Sequence, residues 1–203
     1  ERDIHLLMGN HELQEGGIKL ISNRNPDYPL FNTEYELSQR YKFNTDIGTS
    51  YIPEMQCYLV KVDTNLFDSK YNNSIYRYEP EQSKESLLSL LDGLEYKENH
   101  KVFVCGHVPI VTWRKKKGDS KFLSELDTPD INSLCELIQT ISHDKKYEAS
   151  DIFYMCADTH YFQTMKLDID GVGEILQITN GGGGTELDEI PTDADLKTDF
   201  NGK

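Results

Sequence analysis

The chain has 203 residues and a formal charge of -14, with 37% hydrophobic and 28% charged side chains. That length suits one core, and the balance belongs to a globular fold rather than to a disordered or fibrous chain. The acidic field repels phosphate backbones, which excludes broad nucleic-acid duplex binding unless metal ions or a local basic patch reverse the sign; no run approaches the ~20 continuous apolar residues of a membrane span.

The sequence opens on Glu1 without an initiator methionine or a signal-peptide pattern and runs directly into Ile4–Met8, an apolar stretch that reads as a buried strand ending at Gly9. Such a start is expected to lie in mid-domain. From Leu13 to Glu54 the glycines, prolines and polar residues predict a long excursion, with one short helix near Glu34–Tyr41 and tyrosines that either pack or line a lid. Cys57–Val62 alternates as a strand. Leu87, Leu88, Leu90, Leu91 and Leu94 then recur at helical spacing behind Pro80. Val102–Cys105 is a second buried strand, stopped by Gly106 and His107, and the basic run Arg114–Lys117 reads equally as a solvated loop and as a segment reaching an anionic substrate.

Thr128-Pro129-Asp130 predicts a capped helix start, followed by an apolar face of Ile131, Leu134, Ile138 and Ile141. Asp151–Cys156, Gln163–Ile169 and Glu174–Thr179 read as strands, the last ended by Asn180 and the glycines 181–184. Those glycines serve as a permissive turn in preference to a phosphate cradle, because no helix start with lysine follows. Strands alternating with helices, then strands in succession, predict an α/β fold over residues 1–184, with 185–203 an acidic tail. Cys57, Cys105, Cys135 and Cys156 read as reduced thiols, which points to a cytoplasmic location.

Three polar clusters each follow an apolar strand: Gly9-Asn10-His11-Glu12, Gly106-His107-Val108-Pro109 and Ala157-Asp158-Thr159-His160. In open α/β sheets, ligands bind outside the carboxyl ends of the strands, and Asn, His and Asp supply the oxygen and nitrogen donors that divalent metals accept. His5, His100 and His143 lack such context and are expected to be ordinary surface or core residues. The ordered set resembles the calcineurin-like metallophosphoesterases, including the purple acid phosphatases, over Ile4–Gly184.

That resemblance implies an incomplete four-layer α/β/β/α sandwich and two bound metal ions, Mn, Fe or Zn with Mg as a further option. It makes Asn10 and His107 ligands of the second metal and His160 a ligand of the first. His11 would face the phosphate and its leaving group, with Glu12 orienting it by hydrogen bonding. Asp158 stands where the family usually has a histidine, and as a carboxylate it favours a harder ion over zinc. The family's opening Asp-x-His and Gly-Asp-x-x-Asp blocks are missing, so an upstream part of the same domain is the expected partner. The implied function is two-metal hydrolysis of a phosphate ester; the alternative is an inactive pseudo-phosphoesterase with a structural or interaction role.

Overall fold

A computed structural model describes residues 48–62, 64, 87–116, 119–123 and 128–181. It is a mixed α/β arrangement built on one six-stranded sheet. In chain order the strands are β1 (Gly48–Ile52), β2 (Cys57–Lys61), β3 (Lys101–Cys105), β4 (Thr112–Lys116), β5 (Asp119–Leu123), β6 (Ile152–Cys156), β7 (Phe162–Ile169) and β8 (Gly173–Asn180), with helix α1 spanning Thr128–His143. The large sheet runs β1-β2-β3-β6-β8-β7, and β4 and β5 form a separate two-stranded sheet.

Strands β2, β3, β6 and β8 are mutually parallel, and antiparallel β1 and β7 close the two edges. Parallel strands are normally covered on both faces. On one face Tyr58, Val60, Val102, Val104, Ile152, Tyr154 and Ile175 share a core with Leu134, Leu137, Ile138 and Ile141 of α1, all at 2% exposure or less. These α1 positions are spaced at three, four and seven residues, which puts them on one helical stripe. The end of α1 is tied down as well, because Gln139 Nε2 donates to Asp170 O at 2.8 Å and His143 Nε2 lies 2.8 Å from Gly171 O. Gly171 sits at φ +74° in the β7–β8 turn, a conformation that favours glycine. On the other sheet face the Phe103 and Phe153 rings stack with centroids 5.0 Å apart.

The strands expected after β1 and the long helix appear within a residue or so of their predicted limits. The leucine-rich segment is helical at 87–89 and then tightens through bonds such as Leu90 N to Leu87 O and Leu94 N to Leu91 O, each 3.0 Å, with Leu87, Leu91 and Leu94 buried. Two expectations are corrected. The end of the predicted excursion is strand β1 followed by a 3-10 turn over Pro53–Met55; Gly48-Thr-Ser-Tyr-Ile has no apolar run to announce a strand and gains its place by pairing with β2. Residues 114–116 of the basic run belong to strand β4 of a hairpin rather than to a loop. The Ile4–Met8 strand, the Glu34–Tyr41 helix and the acidic tail lie outside the described residues. All four cysteines are free. Among the described residues, no helix is long and apolar enough to cross a membrane.

Candidate functional site

The carboxyl ends of the four parallel strands share one rim of the sheet, and the segments leaving them are bonded to one another. Thr64, which follows β2, is fully buried, and its hydroxyl oxygen accepts from the amides of both His107 and Val108 at 2.9 Å. Tyr154 of β6 donates its hydroxyl to Val108 O at 2.7 Å, and Ala157 N donates to His107 O at 2.9 Å. The loop after β3 is thus held from β2 on one side and from β6 on the other. Gly106 is required at its start, because a Cβ there would lie 2.5 Å from the Tyr154 hydroxyl and 2.7 Å from Thr64 Cγ2.

The β6 loop is equally constrained. Asp158 adopts φ +52°, in the left-handed region that Asp, Asn and His tolerate better than most side chains. It is the middle residue of a tight turn in which Thr159 N donates to Ala157 O at 2.6 Å. Thr159 is fully buried and its hydroxyl is 3.0 Å from that of Thr112, at the root of the β4–β5 hairpin. Gly181, just past β8, packs so closely on the Thr159 carbonyl that no Cβ fits there. The glycine at 181 is thus explained by close approach to the Thr159 carbonyl rather than by a left-handed turn; residues 182–184 lie outside the described residues.

Buried polar groups complete the frame. Gln177 of β8 is fully buried; its Oε1 accepts from Ile110 N at 3.0 Å and Val111 N at 3.3 Å, while its Nε2 donates to Val111 O at 2.5 Å. One side chain thereby satisfies three backbone groups of the connection between β3 and β4, which a burial without partners would leave costly. Sequence reasoning missed Thr64 and Gln177. A threonine after a strand and a glutamine within one carry no signal of their own; only the Asp63-Thr64-Asn65 break after β2 hinted at a polar turn.

These constraints bring His107 Nε2 to 3.5 Å from Asp158 Oδ1, with the two side chains only 16% and 12% exposed. That is longer than a good hydrogen bond, about 2.7–3.2 Å. It is close to the separation of two donors on one ion, since ligands about 2.1 Å from a metal stand roughly 3.0–3.4 Å apart at octahedral to tetrahedral angles. The donor set of one imidazole and one carboxylate fits a divalent ion such as Mn or Fe. His160 lies two residues beyond Asp158 on the same loop and is half-buried. Among the described residues, no group of three or more His, Cys, Asp or Glu side chains is gathered tightly enough to hold an ion.

Asn10, His11 and Glu12 lie outside the described residues. Away from the rim, His100 is 3.0 Å from the Tyr51 hydroxyl and 2.9 Å from Glu98 O, and His143 caps the β7–β8 turn as above, both ordinary structural roles. The nearby thiols are held neutral. Burial pushes Cys156 up to about 12, against a smaller opposing effect of its contact with Thr179, and burial pushes Cys105 up to about 11. Neither is suited to act as a nucleophile near neutral pH. No protein-family model and no curated protein matches the chain.

Proposed function

We propose that the chain contributes part of a two-metal site that hydrolyses a phosphate ester, within an α/β/β/α sandwich completed by an upstream part of the same domain. The observation that carries this reading is the His107–Asp158 pair, two donors from adjacent parallel strands held 3.5 Å apart at the rim. One imidazole and one carboxylate at that spacing support the metal reading, and the ordered motifs that resemble the metallophosphoesterases supply the reaction proposed for it.

In this reading His107 and Asp158 would hold the second ion together with Asn10, and His160 would be a ligand of the first. When bound, the ions would supply Lewis-acid polarisation of the phosphoryl group and a more acidic attacking water. The resemblance would give His11 the role of stabilising or protonating the departing oxygen, with Glu12 orienting it. Thr64 and Gln177 both bond to the connection that leaves β3, so their work in this reading would be to keep the His107 segment in place, which removes reorganisation from the reactive step.

Metal titration and hydrolysis of a phosphate monoester and a diester test the reading. Asp158→Ala should lower bound Mn by about one equivalent and abolish most turnover, whereas Asp158→His should keep the ion and shift preference toward Zn. Histidine is tolerated in the left-handed region, so the second variant separates ligand chemistry from backbone strain. Unchanged metal stoichiometry in Asp158→Ala would sink the ligand assignment and favour an inactive scaffold.

A further inference from the structure

Strand β7 ends the six-stranded sheet and, among the described residues, pairs on one side only, with β8. Its eight residues hold a continuous ladder to β8 without a bulge, a proline or a glycine. The backbone groups on its outer side therefore form a long, regular row, the form of edge to which another strand adds. Natural edges are commonly blunted by charge. Strand β7 carries two charged side chains, Lys166 and Asp168, both exposed.

Within its own sheet Asp168 is badly placed. It stands directly opposite Glu174 of β8, an exposed like-charge pairing that is unfavourable, while Lys166 stands opposite Leu176 and reaches Glu174 diagonally at 2.6 Å. A second copy of β7 answers the opposition. Two identical antiparallel strands related by a two-fold axis have that axis at one residue, because residues directly opposite must lie on the same face. An axis at Lys166 sets lysine against lysine. One at Met165 sets Lys166 against Thr164 and Asp168 against Phe162, matching neither charge. An axis at Leu167 sets Lys166 of each copy opposite Asp168 of the other, and on the opposite face it pairs Met165 with Ile169 and Leu167 with itself. Met165 and Leu167 are half-buried and have apolar surface left to cover.

We propose that β7 is a self-association edge, along which two copies of the chain join antiparallel about a two-fold axis at Leu167 and double the six-stranded sheet. The charge pattern selects a second copy over an unrelated strand, since the occupant must offer a cation and an acid two residues apart in this order. The axis stands perpendicular to the sheet, so the two rims point in opposite directions and both candidate sites stay open. The inference does not depend on the phosphoester reading. A strand-to-strand contact is small beside the roughly 1,200–2,000 Å² of a stable complex, and the formal charge of -14 on each copy opposes approach. Association is therefore weak, and is best read at an ionic strength that screens the long-range repulsion more than the close pairs.

Sedimentation equilibrium of the full chain is the test. The wild type should pass from monomer to dimer below about 1 mM. Lys166→Glu sets an acid against Asp168 at two places and Asp168→Lys sets lysine against lysine at two places, so each should weaken dimerisation about tenfold or more. An equimolar mixture of the two variants should pair with wild-type affinity, because each then meets the opposite charge at both positions, and Lys166→Glu/Asp168→Lys should self-associate likewise. The mixture also controls for folding, since a misfolded variant does not recover on mixing. Amide exchange along β7 should slow as wild-type concentration rises. A wild-type chain monomeric up to about 1 mM, a dimer indifferent to both single variants, or a mixture no stronger than either variant alone would each overturn the assignment.

Discussion

Replacing Thr64 with valine keeps the shape of the side chain and removes one oxygen, so the substitution isolates what that oxygen does. It accepts two successive amides at 2.9 Å, that of Val108 in a buried position and that of His107 in a partly buried one. A buried donor left without a partner costs about 1–3 kcal/mol, and a half-exposed one less because water replaces the acceptor, giving a total of roughly 2–4 kcal/mol. Thr64→Ser keeps the oxygen and loses a methyl, worth about 1 kcal/mol with the small void it leaves. Urea denaturation of the three proteins should therefore rank wild type, then serine, then valine, with unchanged m values. Amide exchange should speed up at His107 and Val108 in the valine variant. The ranking decides between two roles, since simple packing of Cγ2 against Gly106 would reverse serine and valine. A valine variant as stable as wild type would refute the hydrogen-bonding account.

Gly181→Ala should destabilise by about 1–3 kcal/mol, the usual cost of overpacking, because its Cβ meets the Thr159 carbonyl; a thermal midpoint equal to wild type would contradict the close approach. Gly106→Ala should cost a similar amount alone and less in a Tyr154→Phe background, where the nearest obstructing oxygen is gone, so a double-mutant cycle should be clearly non-additive. The raised thiol pKa values of Cys156 and Cys105 mean that the folded chain holds protons that the unfolded chain releases near pH 9. Stability should thus be fully present below pH 9 and fall as pH rises towards 11 and 12, and Cys156→Val should flatten that decline in urea midpoints. His11→Asn should lower kcat while leaving metal content nearly unchanged, and loss of metal in that variant would make His11 a ligand.

The parts of the fold legible in the sequence were those whose signal is apolar periodicity. Val102–Cys105 and Glu174–Thr179 alternate or run continuously because each is an interior strand paired on both sides, and the stripe on α1 is set by the face it buries. Strand β1 was hidden because an edge strand paired on one side can be polar, and β4 because a hairpin rich in lysine has no apolar alternation beyond Thr112 and Trp113. The rim was legible to the extent that polar residues after strands mark it, which singled out His107 and Asp158. What could not be read was how the loops are held. Thr64, Gln177 and Thr159 act through hydrogen bonds to partners 43 to 67 positions away, and no local pattern encodes a partner at that distance.

The order of strands in the sheet also fixes an order in time. Strand β8, the last in the sequence to be described, lies between β6 and β7, and its Gln177 and the adjoining Gly181 hold the connections that leave β3 and β6. During synthesis, which proceeds from the N-terminus, β2, β3 and β6 can pair before β8 exists, yet the backbone groups of Ile110 and Val111 lack their Gln177 partner until residue 177 has emerged. Until then β6 presents an open parallel edge, a template for mispairing. A chain interrupted shortly before residue 177 would keep most of its helix-facing core while the connection leaving β3 lacked the buried partner that satisfies its backbone.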